Sequence, residues 1–291
     1  KFGFRDVVVN LHHQPESVKE ALGDGSDYGV KIHYTEENPK ILGTAGALDN
    51  ARHLLEDDTF VIVNGKLITD INIAEAVETH KKSGAIATMV LKPNVKREKF
   101  TEVYVKDGFL TGFGDYAHPF TKEEIKDITS GLSAPLMFTG IHILEPRVFE
   151  YIPRHVYSDI VPTFYNPALR KGEKIAVHIT DANWYELSTI PRYLDISLAM
   201  GLPVQAGNNC IISGRATVKD SIMWDNVSIG DDAHLYRTII ADEVRIEAGE
   251  HYENAAIVRA DMVRNCEEIP EKALKGYIQG ENYFVPLIEY I

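Results

Sequence analysis

Residues 41–70 read ILGTAGALDNARHLLEDDTFVIVNGKLITD, and the rest of the chain is arranged around them. Leu42-Gly43-Thr44-Ala45-Gly46 is a glycine-bearing turn that opens a helix running from Ala47 to Leu55. The apolar run Phe60-Val61-Ile62-Val63 then stops at Asn64-Gly65. Glycine lets a backbone approach a ligand closely, and a helix N-terminus presents unpaired N–H groups to an anion or a base edge. A buried-type strand with a polar tip ends, in an open α/β sheet, at the edge where ligands bind. Turn and tip thus point to one ligand crevice, although the residues alone equally allow an ordinary loop and helix start.

Outward from this stretch, strands and helices alternate. Val7–Asn10 is a strand entered from what looks like the end of a helix at residues 1–5, and Pro15–Leu22 is a helix with proline in its first turn. Between them, His12 and His13 are adjacent; adjacent residues of an extended chain point to opposite faces, so the pair satisfies a strand end more readily than it chelates a metal. Val30–Tyr34 is a strand, Ile73–Ser83 a helix and Ala85–Leu91 a buried strand, a rhythm that indicates parallel pairing. Phe100–Val105 and Phe109–Phe113 flank Lys106-Asp107-Gly108, a hairpin signal that makes the sheet mixed. Pro135–Pro146 is a strand with Gly140 in its middle, where either a ligand or a bulge excludes a side chain. Ser158–Pro162 starts a helix, Ile175–Thr180 is a strand, and Ile190–Met200 is a helix.

Beyond Gly207 the apolar period is six: Ile212 and Val218, then Met223, Ile229 and Leu235, then Ile240 and Ile246, with slips of one residue between runs. Such a period indicates about three small parallel coils, a meander of ordinary strands being the other reading. The Tyr-rich residues 270–291 are placed to cap the open end.

The 291 residues suffice for an α/β domain and a smaller second one, with 44% apolar and 25% charged residues typical of globular proteins. Thirty Lys and Arg against 43 Asp and Glu give a net charge of -13, which repels a polyanion and argues against nucleic-acid binding. Two cysteines, Cys210 and Cys266, make no disulfide framework or metal spacing, and no apolar run is long enough for a membrane span. A cytoplasmic location is the expectation.

LGTAGAL with VIVNGKLITD, joined by Phe138-Thr139-Gly140-Ile141, by WYELSTIP at residues 184–191 and by the hexapeptide-like tail, resembles the sugar-1-phosphate nucleotidyltransferases, or nucleotide-sugar pyrophosphorylases. Bacterial mannose-1-phosphate guanylyltransferases are the nearest group in this resemblance. It implies a Rossmann-like mixed-sheet nucleotidyltransferase domain over residues 1–202 and a short left-handed β-helix with its cap over 203–291. The family's first strand and Gly-rich phosphate loop precede Lys1 by this alignment, so a longer chain is expected. The activity implied is transfer of a nucleotidyl group from an NTP, GTP favoured, to a sugar 1-phosphate, giving a GDP-mannose-like nucleotide-sugar and pyrophosphate. Leu42, Gly43, Thr44, Gly46, Asn64 and Gly65 would hold the nucleotide, and Thr139 and Gly140 the sugar.

Mg²⁺ in this family sits on two acidic positions, and here they are occupied by Lys66 and Glu186. Glu186 can ligate the metal; Lys66 has three donors and no acceptor, so it either serves as a counter-charge for phosphate or points to solvent beside a metal held by Glu186. Ser188 stands where the motif has glycine. These departures leave open a catalytically weak nucleotide-sugar-binding paralogue serving as a regulatory subunit. An acyltransferase built on the β-helix, with His234 as base, is a third reading. Few coils with open edges predict a homodimer.

Overall fold

The computed structural model describes residues 2–116, 134–201, 204–265 and 276–287. Expectations for Leu202, Cys266, and residues 270–275 and 288–291 lie outside them. Contacts divide the chain into two compact units, residues 1–65 with 69–184, and residues 66–68 with 185–291.

In the first unit, residues 2–5 are irregular and carry no helix, correcting the sequence expectation. Strand β1 (Asp6–Leu11), helix α1 (Pro15–Leu22) and strand β2 (Lys31–Glu36) form a β-α-β unit whose strands pair in parallel, Val9 opposite Tyr34. Helix α2 (Gly43–Asn50) begins at Gly43 itself, not at Ala47, and stops at Ala51 before α3 (Arg52–Leu55) resumes. Strand β3 (Phe60–Val63), β4 (Leu67–Thr69) and helix α4 (Ile73–Ser83) follow, and Gly84 closes α4 in a left-handed conformation at φ 61°.

Next come β5 (Ala87–Pro93), β6 (Thr101–Lys106), β7 (Phe109–Tyr116), β8 (Leu136–Leu144), a π-helical turn at Val161–Tyr165, α5 (Asn166–Arg170) and β9 (Ile175–Ile179). The main sheet runs β3-β8-β5-β9-β7-β6. Only β5 and β9 pair in parallel within it; β3, β5 and β6 all run antiparallel to β8. The expected mixed sheet is therefore present, parallel at β5/β9, while β1 and β2 form a separate two-stranded parallel sheet. Its hairpin turn places Asp107 at φ 52° and Gly108 at φ 80°, the left-handed pair that a two-residue loop needs. A core of Met89, Leu91, Leu144, Phe164, Tyr165 and Ile175 lies against this sheet.

In the second unit, strands repeat with a separation of 17 residues, one short of three hexapeptides, which is the source of the one-residue slips in the sequence. Three parallel faces result. One holds Val204–Ala206 and Ser221–Met223, another Ile211–Ile212, Ser228–Ile229 and Arg245–Ile246, and the third Thr217–Lys219 beside His234 and His251. Corners sit at Asn209, Asn226 and Glu243 and at Asp220, Arg237 and Asn254, all with positive φ. Asn and Asp tolerate that region, and ladders such as Asn209 Nδ2 donating to Asn226 Oδ1 link successive coils.

Met223, Ile229, Leu235, Ile240 and Ile246 point inward as the period predicts. Ile212 does not follow: at 40% exposure it lies in the end strand of its face, with no strand paired on its outer side among the described residues. Asn282–Pro286 pairs antiparallel with the last coil and Tyr277–Gln279 with it in turn, so these tail residues do cover an edge. Helix α6 (Ile190–Met200) packs Leu194 against Ile222 and Ile239 of the coils, and Asp195 accepts from Arg237 at 2.7 Å. That packing is why contacts divide the chain at Trp184, whereas the sequence places the boundary near Leu202.

Candidate nucleotide and phosphate site

Glycine at 43 and 46 answers first to the chain's own packing. A Cβ on Gly43 (φ +76°) would lie 2.7 Å from the Ser158 carbonyl, and one on Gly46 would meet Leu42 Cβ at 2.9 Å and the Val156 carbonyl at 3.0 Å. The start of α2 is likewise occupied. Ala45 and Gly46 N–H donate to the Ser158 carbonyl at 2.8 and 3.1 Å, and the Thr44 N–H and hydroxyl both donate to Asp159 Oδ1 at 3.3 Å. Thr44 Oγ1 also accepts from Ile160 N–H. Gly46 and the donors of residues 44–46, expected to face a ligand, thus serve the 156–160 segment. What the turn still shows outward is Ile41 at 58% exposure and Thr44, with Leu42 and Gly43 half-buried between them.

At the tip of β3, Asn64 and Gly65 are exposed. Gly140 lies opposite, at φ +77°, where a Cβ would come within 2.9 Å of Asn64 Cγ, and Asn64 N–H donates to the Gly140 carbonyl at 3.1 Å. The bulge reading of this glycine is what the register shows: Met89 pairs with His142 but Leu91 with Phe138, so β8 bulges around Gly140, which lies under the Asn64 side chain. Thr139, expected beside the sugar, is turned into the sheet. It is 1% exposed, and its hydroxyl donates to the Val90 carbonyl while its carbonyl accepts from Trp184 Nε1, both at 2.8 Å.

His142, next on β8, is fully buried, and shares a 2.6 Å hydrogen bond with the Tyr165 hydroxyl. Burial pushes its imidazole down to about 3 and the Tyr165 phenol well above its usual range, so both stay neutral.

The second unit carries the charged pair. Lys66 Nζ lies 3.0 Å from Glu186 Oε1, with the lysine side chain 51% exposed and the glutamate 15%. Leu187 N–H donates to the Lys66 carbonyl at 2.9 Å, and Arg192 Nε to the Glu186 carbonyl at 3.1 Å, which fixes both backbones. Lys66 is therefore bound to Glu186 in this structure. A protein-held Mg²⁺ does not fit this donor set: the single carboxylate already faces an ammonium, and among the described residues no group of three His, Cys, Asp or Glu is placed to hold a metal. His234, the acyltransferase candidate, stacks on His251 at 5.3 Å as one rung of the coil ladder.

The model of the family "Nucleotidyl transferase" matches residues 1–201, and a "GlmU-like, C-terminal hexapeptide" model matches 204–271. The chain belongs to the nucleotidyl transferase family. It is 28% identical over 268 residues to a UTP–glucose-1-phosphate uridylyltransferase of Synechocystis, covering 84% of this chain and 65% of that one. Against a mannose-1-phosphate guanylyltransferase of Mycobacterium tuberculosis it is 23% identical, over 85% of this chain and 70% of the relative. The chain thus spans about two thirds of the length of these relatives. Among solved structures, HddC from Yersinia pseudotuberculosis in complex with GMP-PN superposes with a TM-score of 0.53 at 14% identity, covering 67% of this chain and 78% of that one. A putative glucose-1-phosphate thymidylyltransferase from Bacillus anthracis gives 0.51 at 18%, covering 66% and 73%. These two likenesses establish the fold of the nucleotidyltransferase domain.

No sequence signal marks Ser158 and Asp159 as partners of α2, because both lie more than a hundred residues from it. Glu37 is also missed by the sequence reading, although it adjoins the turn.

Proposed function

We propose that this protein transfers a nucleotidyl group from an NTP to a sugar 1-phosphate, a phosphate oxygen of the sugar 1-phosphate attacking the α-phosphorus while pyrophosphate leaves. The match of residues 1–201 to the nucleotidyl transferase family carries this reading. In it the base rests against the exposed side of the turn at Leu42, Gly43 and Thr44, and Asn64 and Gly65 approach the nucleotide at the strand tip. GTP and a mannose-type sugar are favoured by the guanylyltransferase relative, against uridine and glucose by the other. Little covalent work falls to the protein: alignment of two anions and neutralisation of charge suffice. The family generally uses a divalent metal ion, but the donors at residues 66 and 186 do not form a site for one.

The Lys66–Glu186 pair favours a second reading, a nucleotide-sugar-binding paralogue with weak or no turnover, because the lysine's charge is already neutralised where a counter-charge for phosphate would be needed. Pyrophosphate release from GTP with mannose 1-phosphate, and from UTP with glucose 1-phosphate, tests both. Turnover with either pair supports the first reading, binding without turnover the second, and neither binding nor turnover sinks both. A homodimer and a cytoplasmic location accompany the proposal; among the described residues no helix is long and apolar enough to cross a membrane.

A further inference from the structure

Glu37 is a charged-type residue only 5% exposed, and it stands between the end of β2 and the start of α2. Among the described residues, no lysine or arginine lies in salt-bridge reach of its carboxyl group. Its contacts are instead N–H donors: Leu42 N–H at 2.5 Å on Oε2 and Asn10 Nδ2 at 2.6 Å on Oε1. The donor side is itself fixed, since Asn10 Oδ1 accepts from the Thr35 hydroxyl at 3.1 Å. The backbone of Glu37 is held too, its N–H on the Leu11 carbonyl and its carbonyl on His12 Nδ1, both at 2.8 Å. A buried carboxyl group is expensive to keep, so an apolar residue here would be the cheaper choice if packing alone mattered.

What the carboxyl group does is close residues 37–42 on themselves. Downstream, the start of α2 is tied through Ser158 and Asp159, and Ser158 N–H donates to the Leu42 carbonyl at 2.8 Å. Upstream, the described bonds give the Leu42 peptide one anchor, the Glu37 side chain. Both faces of Leu42 are then fixed, and the Leu42–Gly43 backbone is held in one conformation before any ligand arrives. A ligand that binds a preordered turn avoids the ordering cost that a free connection over residues 37–42 would impose.

We propose that Glu37 is a positioning residue for nucleotide binding, acting through the Leu42 N–H on the turn where the base rests. This inference stands on the reading of that turn as the nucleotide site. GTP, UTP and dTTP should be titrated calorimetrically into the full chain, into Glu37→Ala and into Glu37→Gln, with amide hydrogen exchange at Leu42 measured in all three without ligand. Glu37→Ala should lose Leu42 protection and raise the Kd of whichever nucleotide the parent binds about tenfold, as expected for one charge-assisted hydrogen bond. Glu37→Gln, whose amide oxygen can accept the same N–H, should recover most of both. Unchanged Leu42 protection in Glu37→Ala overturns the anchor. Lost protection with an unchanged Kd overturns its bearing on binding, and so does a loss of affinity that Glu37→Gln fails to recover. If the parent chain binds none of the three nucleotides, the reading of the turn itself falls and takes the role of Glu37 with it; that failure shows in the parent, not in the variants.

Discussion

Gly140 is required twice, by its positive φ and by the Asn64 side chain above it. Gly140→Ala should therefore cost about 1–3 kcal/mol, read from urea midpoints, and pairing it with Asn64→Gly should return only the steric part because the backbone strain remains. His142 gives a pH dependence with a definite sign. Its folded pKa of about 3 lies below the ordinary 6.5, so the unfolded chain binds one more proton between those values. Stability contributed by the neutral imidazole is complete above about 6.5 and declines as pH falls toward 3, by about 1.4 kcal/mol per pH unit. His142→Gln should be less stable at pH 7 but should flatten this slope between pH 6.5 and 5; a slope equal to the parent's would assign the acid loss elsewhere. Breaking the Lys66–Glu186 pair should change stability by less than about 1 kcal/mol, since the lysine is half exposed. Glu186→Gln frees that ammonium and should tighten binding of inorganic pyrophosphate severalfold by calorimetry, while Lys66→Asp should weaken it and introduce a Mg²⁺ dependence. The resemblance placed Lys66 and Glu186, 120 positions apart, at one site; that they neutralise each other in an ion pair came from the fold.

Helix α2 shows how an element can be legible in kind and misread in purpose. Two glycines in a helix-opening turn mark close approach, and close approach is what the structure contains, but at Gly46 the approaching group is the protein's own 156–158 backbone. Gly46→Ala should destabilise the fold by about 1–3 kcal/mol through overpacking against Leu42, a loss visible in thermal unfolding without any ligand. Asp159→Ala should cost about 1 kcal/mol by leaving the Thr44 N–H without its acceptor. Elements delimited by local chemistry were readable to the residue: α1, α4 and α6 begin and end as their proline, glycine and apolar spacing require. The break at Ala51 was not, because nothing in Asn50-Ala51-Arg52 forbids helix.

For the whole molecule, the coils carry the testable consequence of few repeats. The first leaves Ile211 and Ile212 at 70% and 40% exposure. If a second copy covers them, light scattering at micromolar concentration should report a dimer that Ile211→Asp converts to monomer; a monomeric parent chain would dismiss the homodimer. Local information alone determined a great deal of this protein: the strand and helix alternation, the hairpin at Asp107-Gly108, and a period of six with one-residue slips that becomes a 17-residue coil. Each of these is written in neighbouring residues, through side-chain periodicity and the few residue types that accept left-handed φ. Tertiary structure decided the rest. It made Thr139 a tie between strands, set α6 on the coils, closed Lys66 and Glu186 into an ion pair and gave Leu42 its anchor on Glu37. These outcomes depend on which polar groups meet after the chain has folded, and a donor's partner is chosen by burial and distance, which adjacency in sequence does not encode.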